Sequence, residues 1–121
     1  MTEISMGRKV VTLINIFTVA PENQDRLLEL LGQATDGVMR KLPGFISANL
    51  HRSVDGTRVV NYAQWENREA FEAIFTNPQA VEHMAAIRNL AIGDRHLYEV
   101  VSVHGRPQNP PLPPTRRRDG K

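Results

Sequence analysis

The sequence predicts an α+β domain whose elements follow in the order βαββαβ. Three observations lead to this prediction. Four segments alternate with the period of a strand, two longer segments repeat apolar residues at helical spacing, and the pair Asp55-Gly56 separates the second strand from the third. With 121 residues, 40% of them hydrophobic, the chain is large enough for one core and too small for two.

The first strand and the first helix occupy the N-terminal third. Residues 9–19 alternate, which places Asn15 on the same face as its apolar neighbours two positions away. Pro21 suits the first turn of a helix, and the acids that follow suit the positive end of the helix dipole. Apolar residues then recur at helical spacing until Pro43-Gly44 stops the helix.

A hairpin follows the first helix. Residues 45–52 and 57–65 are predicted to form the second and third strands. Asp55-Gly56 is a strong signal for a two-residue turn between them. The two strands should therefore pair antiparallel.

The second helix and the fourth strand complete the order. Helical spacing resumes after Trp65, and Asn77-Pro78 has the character of a fresh cap and first turn. The second helix is therefore expected to be interrupted there and to end near Leu90. A turn at Gly93-Asp94 then precedes an alternating segment, 96–104, which is predicted to be the fourth strand.

This order is the ferredoxin-like arrangement, an antiparallel sheet with both helices on one face. Right-handed crossovers are expected to place the first and third strands side by side at the centre of the sheet, parallel to each other. The domain is predicted to span residues 9–104. It lies between a flexible N-terminus, 1–8, and a tail rich in Pro and Arg, 105–121, which is expected to be disordered.

Composition excludes several classes of protein. The chain contains no cysteine, which excludes disulfides, a thiolate nucleophile and any metal held by cysteine, and is typical of a reducing compartment. No segment resembles a membrane span or a signal peptide, so we expect a cytoplasmic protein without a membrane partner. The tail carries five basic residues and one acid, net +4 against +2 for the whole chain. Residues 1–104 therefore carry −2, and they show no basic stripe for nucleic acid.

Three polar side chains are predicted to meet under the helices. Asn15 of the first strand, and Asn61 and Trp65 of the third, lie on the strand faces that the helices should cover. A buried polar group without a partner costs a few kcal/mol, so something should satisfy these groups. Each of them could bond to its neighbours and serve only the core. Three such groups on one face favour a site that binds a ligand.

The opposite face of the sheet is predicted to be apolar. Its expected members are Ile14, Ile16, Ile46, Ala48, Leu50, Val60, Tyr62, Tyr98 and Val100. Both helices are already used on the other side, and an apolar face of this size is rarely left in water. We therefore expect a second copy of the chain to cover it, which gives a homodimer packed sheet to sheet, a dimeric α/β-barrel assembly.

The residues from about Val10 to Val103 resemble the antibiotic biosynthesis monooxygenase family of dimeric ferredoxin-like proteins. The resemblance is strongest to the cofactor-independent monooxygenases of aromatic polyketide pathways. It rests on four stretches: VTLINIFTV, Pro43-Gly44-Phe45, Asp55-Gly56-Thr57 and VVNYAQWENREAF. In those enzymes an asparagine of the first strand, an asparagine of the third strand and the tryptophan four residues later line the oxygenation site. They match Asn15, Asn61 and Trp65.

This resemblance implies that O₂ oxidises a polycyclic phenol of the anthrone or dihydroquinone type to a quinone, without metal, flavin or haem. The composition is compatible with that chemistry. No histidine cluster at ligand spacing and no glycine-rich phosphate loop is present, so the electrons would have to come from the substrate. Neutral N–H donors can stabilise a developing oxyanion without placing a permanent charge in an apolar pocket.

Five further side chains are predicted to contact the substrate: Phe17, Phe71, Phe75, Met84 and Arg88. The alternative for the first four is a role in the core, and for Arg88 an exposed position on the helix. His51 and His83 are weaker candidates for a base near neutral pH.

Two other functions are open to the same fold. A non-catalytic small-molecule-binding or stress-response protein would not consume O₂ with any anthrone. A haem-degrading relative would carry a tryptophan in the second helix, followed by a histidine that ligates iron. This chain has Ile74 or Phe75 at the position of that tryptophan.

Overall fold

The computed structural model describes residues 2–7 and 9–107 of the chain. Its strands and helices are, in chain order, β1 (Val11–Val19), α1 (Gln24–Gly37), β2 (Phe45–Arg52), β3 (Arg58–Trp65), α2 (Arg68–Glu72), α3 (Pro78–Arg88) and β4 (Ala91–Tyr98). Short 3₁₀ turns lie before and after α1 and between α2 and α3, at Pro21–Asn23, Met39–Lys41 and Ala73–Thr76. The predicted βαββαβ order is confirmed, with the second helix divided as expected.

The four strands form one antiparallel sheet in the order β2-β3-β1-β4. Strands β1 and β3 are central neighbours, as predicted, but they run antiparallel, so the expected parallel pair was wrong. The reason lies in the connections. The crossover through α1 makes β2 parallel to β1, and the hairpin then reverses the chain, so β3 must run opposite to β1.

The β2–β3 hairpin is closed by a longer loop than the predicted two-residue turn. The backbone N–H of Ser53 donates to the carbonyl of Arg58, at 2.9 Å, which leaves four residues in the loop. Gly56 takes the left-handed conformation that the loop requires, with a φ of +82°. Hydrogen bonds from the hydroxyl and backbone N–H of Thr57, and from the Ser53 hydroxyl, lower the pKa of Asp55 to about 2.

Strand β4 begins earlier than predicted. It spans Ala91–Tyr98, so Gly93-Asp94 lies inside the strand and residues 99–104 lie beyond it. The predicted turn and the predicted strand at 96–104 were therefore wrong. Glycine within a strand marks a close approach of another group. Here Gly93 is opposite Phe17, and an added Cβ would lie 3.1 Å from the Phe17 ring and 3.1 Å from Asn15 Oδ1.

A β-bulge near the start of β2 changes which residues face the helices. The register shifts between Phe45 and Ser47, because one extra residue is inserted against β3. Ala48 and Leu50 consequently pair with Ala63 and Asn61, and both pack into the core under the helices. Their predicted place on the opposite face was wrong, and Ile46 lies in the bulge itself.

The core under the helices consists of two hydrophobic clusters. One contains Leu13, Val38, Ala63, Trp65, Phe71, Ile74 and Ala80. The other contains Phe17, Val19, Leu27, Leu31, Val59, Ile87 and Ala91. On the helix-covered face, one residue of each central strand lies between the two clusters: Asn15 in β1 and Asn61 in β3.

The opposite face of the sheet is partly covered by the N-terminal segment. Asn49 donates to Thr2 Oγ1, at 2.5 Å, and Gln64 donates to the carbonyl of Glu3, at 2.7 Å. Ile16 and Tyr98 on this face are 40% and 48% exposed. Flexibility of residues 1–8 stays a prediction, and the predicted tail lies outside the described residues after position 107. No helix in the described ranges is long and apolar enough to cross a membrane.

Candidate functional site

The centre of the helix-covered sheet face holds two facing carboxamides. Asn15 of β1 and Asn61 of β3 are direct partners in the antiparallel register, so both side chains leave the same face at the same level. The Oδ1 atoms of both residues are buried and accept no hydrogen bond. Buried polar atoms in folded proteins nearly always have a partner, so a pair of unsatisfied acceptors marks a place for a ligand group or ordered water.

A cavity of about 190 Å³ lies directly over these amides. Its floor is formed by the sheet residues Leu13, Asn15, Phe17, Asn61, Ala91, Gly93 and Arg95. Its roof is formed by the helices and their 3₁₀ turns, through Leu31, Ala34, Thr35, Met39, Phe71, Ile74, Phe75, Met84, Ile87 and Arg88. The structure thus brings together around one space seven of the eight side chains predicted for the site.

Trp65 is the predicted site residue that does not line this cavity. Its side chain is 3% exposed and makes edge-to-face contacts with Phe45 and Phe71, with ring centroids 5.4 and 6.3 Å apart. Phe71 does line the cavity and stands in contact with Phe75, at a centroid distance of 5.4 Å. The Phe71 ring therefore lies between the indole and the cavity.

The cavity has a positive electrostatic character. Arg88 and Arg95 line it, and none of the described lining residues is acidic. The guanidinium carbon of Arg95 lies 4.7 Å from the centroid of the Phe75 ring, which is the geometry of a cation–π contact. An electron-rich or anionic aromatic molecule would be favoured in such a space over a cation.

The histidines considered as bases do not line the cavity. His51 lies opposite Val60 on the other face of the sheet, and His83 is half-buried on α3. In the described part of the chain, no group of three His, Asp or Glu side chains is placed to hold a metal ion.

Arg95 and Gly93 are lining residues that the sequence analysis missed. Both were assigned to a turn or to its edge because Gly93-Asp94 has the composition of a turn. The sequence does contain a pattern that indicates their position. Ala91, Gly93, Arg95 and Leu97 alternate with Ile92, Asp94, His96 and Tyr98, so a strand starting at position 91 places Arg95 beside the predicted Asn15.

Comparison with known proteins identifies the family of the chain. Residues 10–86 match the family described as antibiotic biosynthesis monooxygenase. The chain belongs to that family. It is also 42% identical over 91 residues to the tetracenomycin-F1 monooxygenase of Streptomyces glaucescens, an alignment that covers 75% of this chain and 81% of that protein.

Two solved structures of oxygenases are similar to this one. SnoaB, a cofactor-independent oxygenase from Streptomyces nogalater, is 28% identical with a TM-score of 0.67, over 78% of this chain and 95% of SnoaB. The ActVA-Orf6 monooxygenase of Streptomyces coelicolor, solved with the ligand nanaomycin D, is 31% identical with a TM-score of 0.66. That match covers 80% of this chain and 95% of the other. The predicted family, ferredoxin-like fold and oxygenase activity are therefore confirmed, and the dimeric assembly stays a prediction.

Proposed function

We propose that this protein is a cofactor-independent monooxygenase that oxidises a polycyclic phenol of the anthrone or dihydroquinone type to a quinone with O₂. The observation that carries the proposal is the pair of unsatisfied buried carboxamides at the floor of an otherwise largely apolar cavity. Membership of the monooxygenase family and the tetracenomycin-F1 monooxygenase relative support the substrate class.

The two carboxamides can serve both protonation states of a phenol. A buried Oδ1 without a partner can accept a hydrogen bond from the neutral O–H. Rotation of the amide by half a turn presents Nδ2, which can donate to the phenolate or to a developing peroxide. Asn15 and Asn61 face each other, so one can accept while the other donates. Stabilisation of the anionic form by fixed dipoles in an apolar site lowers the barrier to reaction with O₂.

The reaction balances without an external reductant. An anthrone CH₂ group and O₂ give a C=O group and water, so one oxygen atom enters the substrate and the other leaves as water. The ionised substrate gives one electron to O₂, and the two radicals combine to a carbon-bound peroxide. Loss of water from that peroxide breaks the O–O bond and forms the carbonyl. Both electrons that reduce the second oxygen atom come from the substrate C–H bonds.

The remaining predicted residues would bind the aromatic rings. Phe17, Phe71, Phe75 and Met84 present apolar surface and aromatic edges to a flat ligand. Arg88, which lines the cavity, would attract a phenolate. We propose that Trp65 acts at the same site, behind Phe71, and that substrate entry displaces this ring enough for the indole N–H to reach an oxygen atom.

The test is turnover of a model substrate. Purified protein, treated with a metal chelator, is incubated with dithranol while quinone absorbance and O₂ uptake are followed together. We expect one O₂ consumed per quinone formed and no stimulation by metals, flavin or haem. A protein that binds the anthrone without O₂ uptake above the uncatalysed rate would instead be a non-catalytic binding protein.

We further propose that the functional unit is a homodimer that packs through the sheet face opposite the helices. Ile14, Ile16, Val60, Tyr62 and Tyr98 give this face its apolar surface, and its exposure favours cover by a second copy. Light scattering at micromolar concentration should give twice the mass of the chain. A stable monomer would exclude this assembly.

A further inference from the structure

We propose that Arg95 is a specificity-determining residue, which selects substrates that carry an anionic substituent, such as a carboxylate, on the rings outside the cavity. This inference rests on the proposed function of the same cavity. It concerns the part of the substrate that does not react.

The cavity is too small to enclose a whole polycyclic substrate. The cavity of about 190 Å³ is close to the volume of roughly 150 Å³ that accommodates a benzene molecule. A substrate of three or four fused rings therefore cannot lie wholly inside it, and part of the polycycle must project through the mouth. What lines the mouth then decides which polycycles are accepted.

The cavity opens over β4, because the solvent-exposed sheet residues in its lining, Gly93 and Arg95, belong to this strand. This is an edge strand, and its residues facing the cavity are Ala91, Gly93 and Arg95. A side chain at Gly93 would approach the Asn15 amide and the Phe17 ring at 3.1 Å, so the glycine keeps open the space beside the reacting group. The opening is therefore directly next to Asn15, and the rings that project from it pass over Gly93.

Arg95 stands at the rim of this opening. It is opposite Asn15 in the β1–β4 register, and it lines both the cavity and the open groove outside, which also contains Leu97. The contact of its guanidinium with the Phe75 ring holds the charge at the rim. A group on the projecting rings would meet this guanidinium, whose planar fork matches a carboxylate.

The charge of Arg95 is available for a ligand. Within the described residues, neither Arg95 nor Arg88 forms an ion pair, whereas Arg26, Arg40, Arg52 and Arg68 each do. The acid in the outer groove, Glu72, is engaged by Arg68 at 3.0 Å. A neutral polycycle would form no ion pair with these two arginines, whereas an anionic polycycle would.

The experiment uses a matched pair of ligands, anthraquinone-2-carboxylic acid and its methyl ester, which differ by one charge and need no turnover. Binding is followed by quenching of the single tryptophan, Trp65, which touches the cavity through Phe71. We expect the wild-type protein to bind the acid about tenfold more tightly than the ester, with a preference that weakens as salt is added. Arg95→Gln should remove that preference by weakening the acid alone, and Arg95→Lys should restore part of it.

Arg52→Gln is the matched control, because this exposed arginine lies on the other edge strand, paired with Asp25 at 3.0 Å. It should leave both affinities unchanged. Turnover of a carboxylated anthrone and its ester should show the same pattern, with the loss in Arg95→Gln appearing in KM rather than kcat.

Equal affinity of the wild-type protein for acid and ester, or equal weakening of both by Arg95→Gln, would overturn the role of Arg95. Acid-selective binding that depends on Arg95 would support that role even without oxidation of any anthrone, and the absence of oxidation would then overturn only the proposed function.

Discussion

Buried carboxamides are hydrogen-bonded on one face of the sheet and lack hydrogen bonds to their oxygens on the other. On the face away from the helices, Gln64 is 2% exposed, yet it accepts from Ser47 Oγ at 3.1 Å and donates to the Glu3 carbonyl at 2.7 Å. On the face under the helices, Asn15 and Asn61 each leave a buried Oδ1 without a partner. The same functional group is therefore satisfied on one side and unsatisfied on the other.

The hydrogen-bonded amides stabilise the fold, whereas the unsatisfied amides are available to bind a ligand. Burial of an unsatisfied acceptor lowers stability, so its persistence calls for a compensating role. Gln24 fits the first group as well, since it donates to the carbonyls of Ser53 and Arg58 and thereby ties α1 to the hairpin. Replacement of an amide by an apolar side chain should thus have opposite consequences on the two faces.

The largest effect is expected from replacing the unsatisfied amides. Asn15→Leu and Asn61→Leu should each lower anthrone turnover by roughly ten to a thousandfold, the range for loss of one preorganised donor. The melting temperature should stay the same or rise, because a buried acceptor without a partner is removed. The double variant should lose less than the product of the single effects, since the two amides share one site. Full activity in both single variants would reduce these residues to polar groups of the core.

Trp65→Phe is expected to have the next largest effect on activity. It keeps an aromatic ring against Phe45 and Phe71 and removes the indole N–H. If the N–H reaches the reacting oxygen, turnover should fall by about tenfold, the lower end of the range for a lost donor. Circular dichroism should show an unchanged fold. A variant with wild-type turnover would place Trp65 in the core alone.

Gln64→Leu should behave in the opposite manner. The change removes the hydrogen bonds that Gln64 forms with Ser47 Oγ and with the Glu3 carbonyl, which costs roughly 1–3 kcal/mol of stability. We expect the melting temperature to fall by several degrees while turnover per folded molecule stays at the wild-type level. Loss of turnover without loss of stability would mean that the two faces are not functionally distinct.

The smallest effect concerns Asp55 in the loop between β2 and β3, which does not line the cavity. Its pKa is lowered in the fold from 3.8 to about 2, so the stability it contributes is present above about pH 4 and is lost as the pH falls toward 2. Asp55→Asn removes this titration. The melting temperature is measured from about pH 5 to about pH 2, a range that brackets both pKa values. It should fall less steeply with decreasing pH in the variant than in the wild type.

Local periodicity was sufficient for most of the elements and for part of the site. Alternation in β1 and β3 placed Asn15 and Asn61 on one face, because side chains along a strand alternate whatever the strand pairs with. Helical spacing likewise placed Phe71, Phe75 and Met84 on the side that faces the sheet. Asn77 caps α3 as its sequence position predicts, with its side chain accepting from the backbone N–H of Ala80 at 3.0 Å.

Pairing between distant segments decided what periodicity could not. The bulge between Phe45 and Ser47 moved Ala48 and Leu50 to the helix-covered face, because one inserted residue inverts every later side chain of the strand. Glycine is common in turns, and only the pairing of Gly93 with Phe17 of β1 shows that it belongs to β4.

The sequence by itself therefore determined the order of elements, the family resemblance and the two asparagines, since each depends on residues close together along the chain. The tertiary structure alone decided that Asn15 and Asn61 face each other across an antiparallel pair and that their oxygens are left unsatisfied. It also decided that Arg95 stands at the mouth of the cavity while Trp65 lies behind Phe71. The physical reason is that register, bulges and cavities arise from the packing of segments that are far apart in sequence, and no local pattern encodes the space left between them.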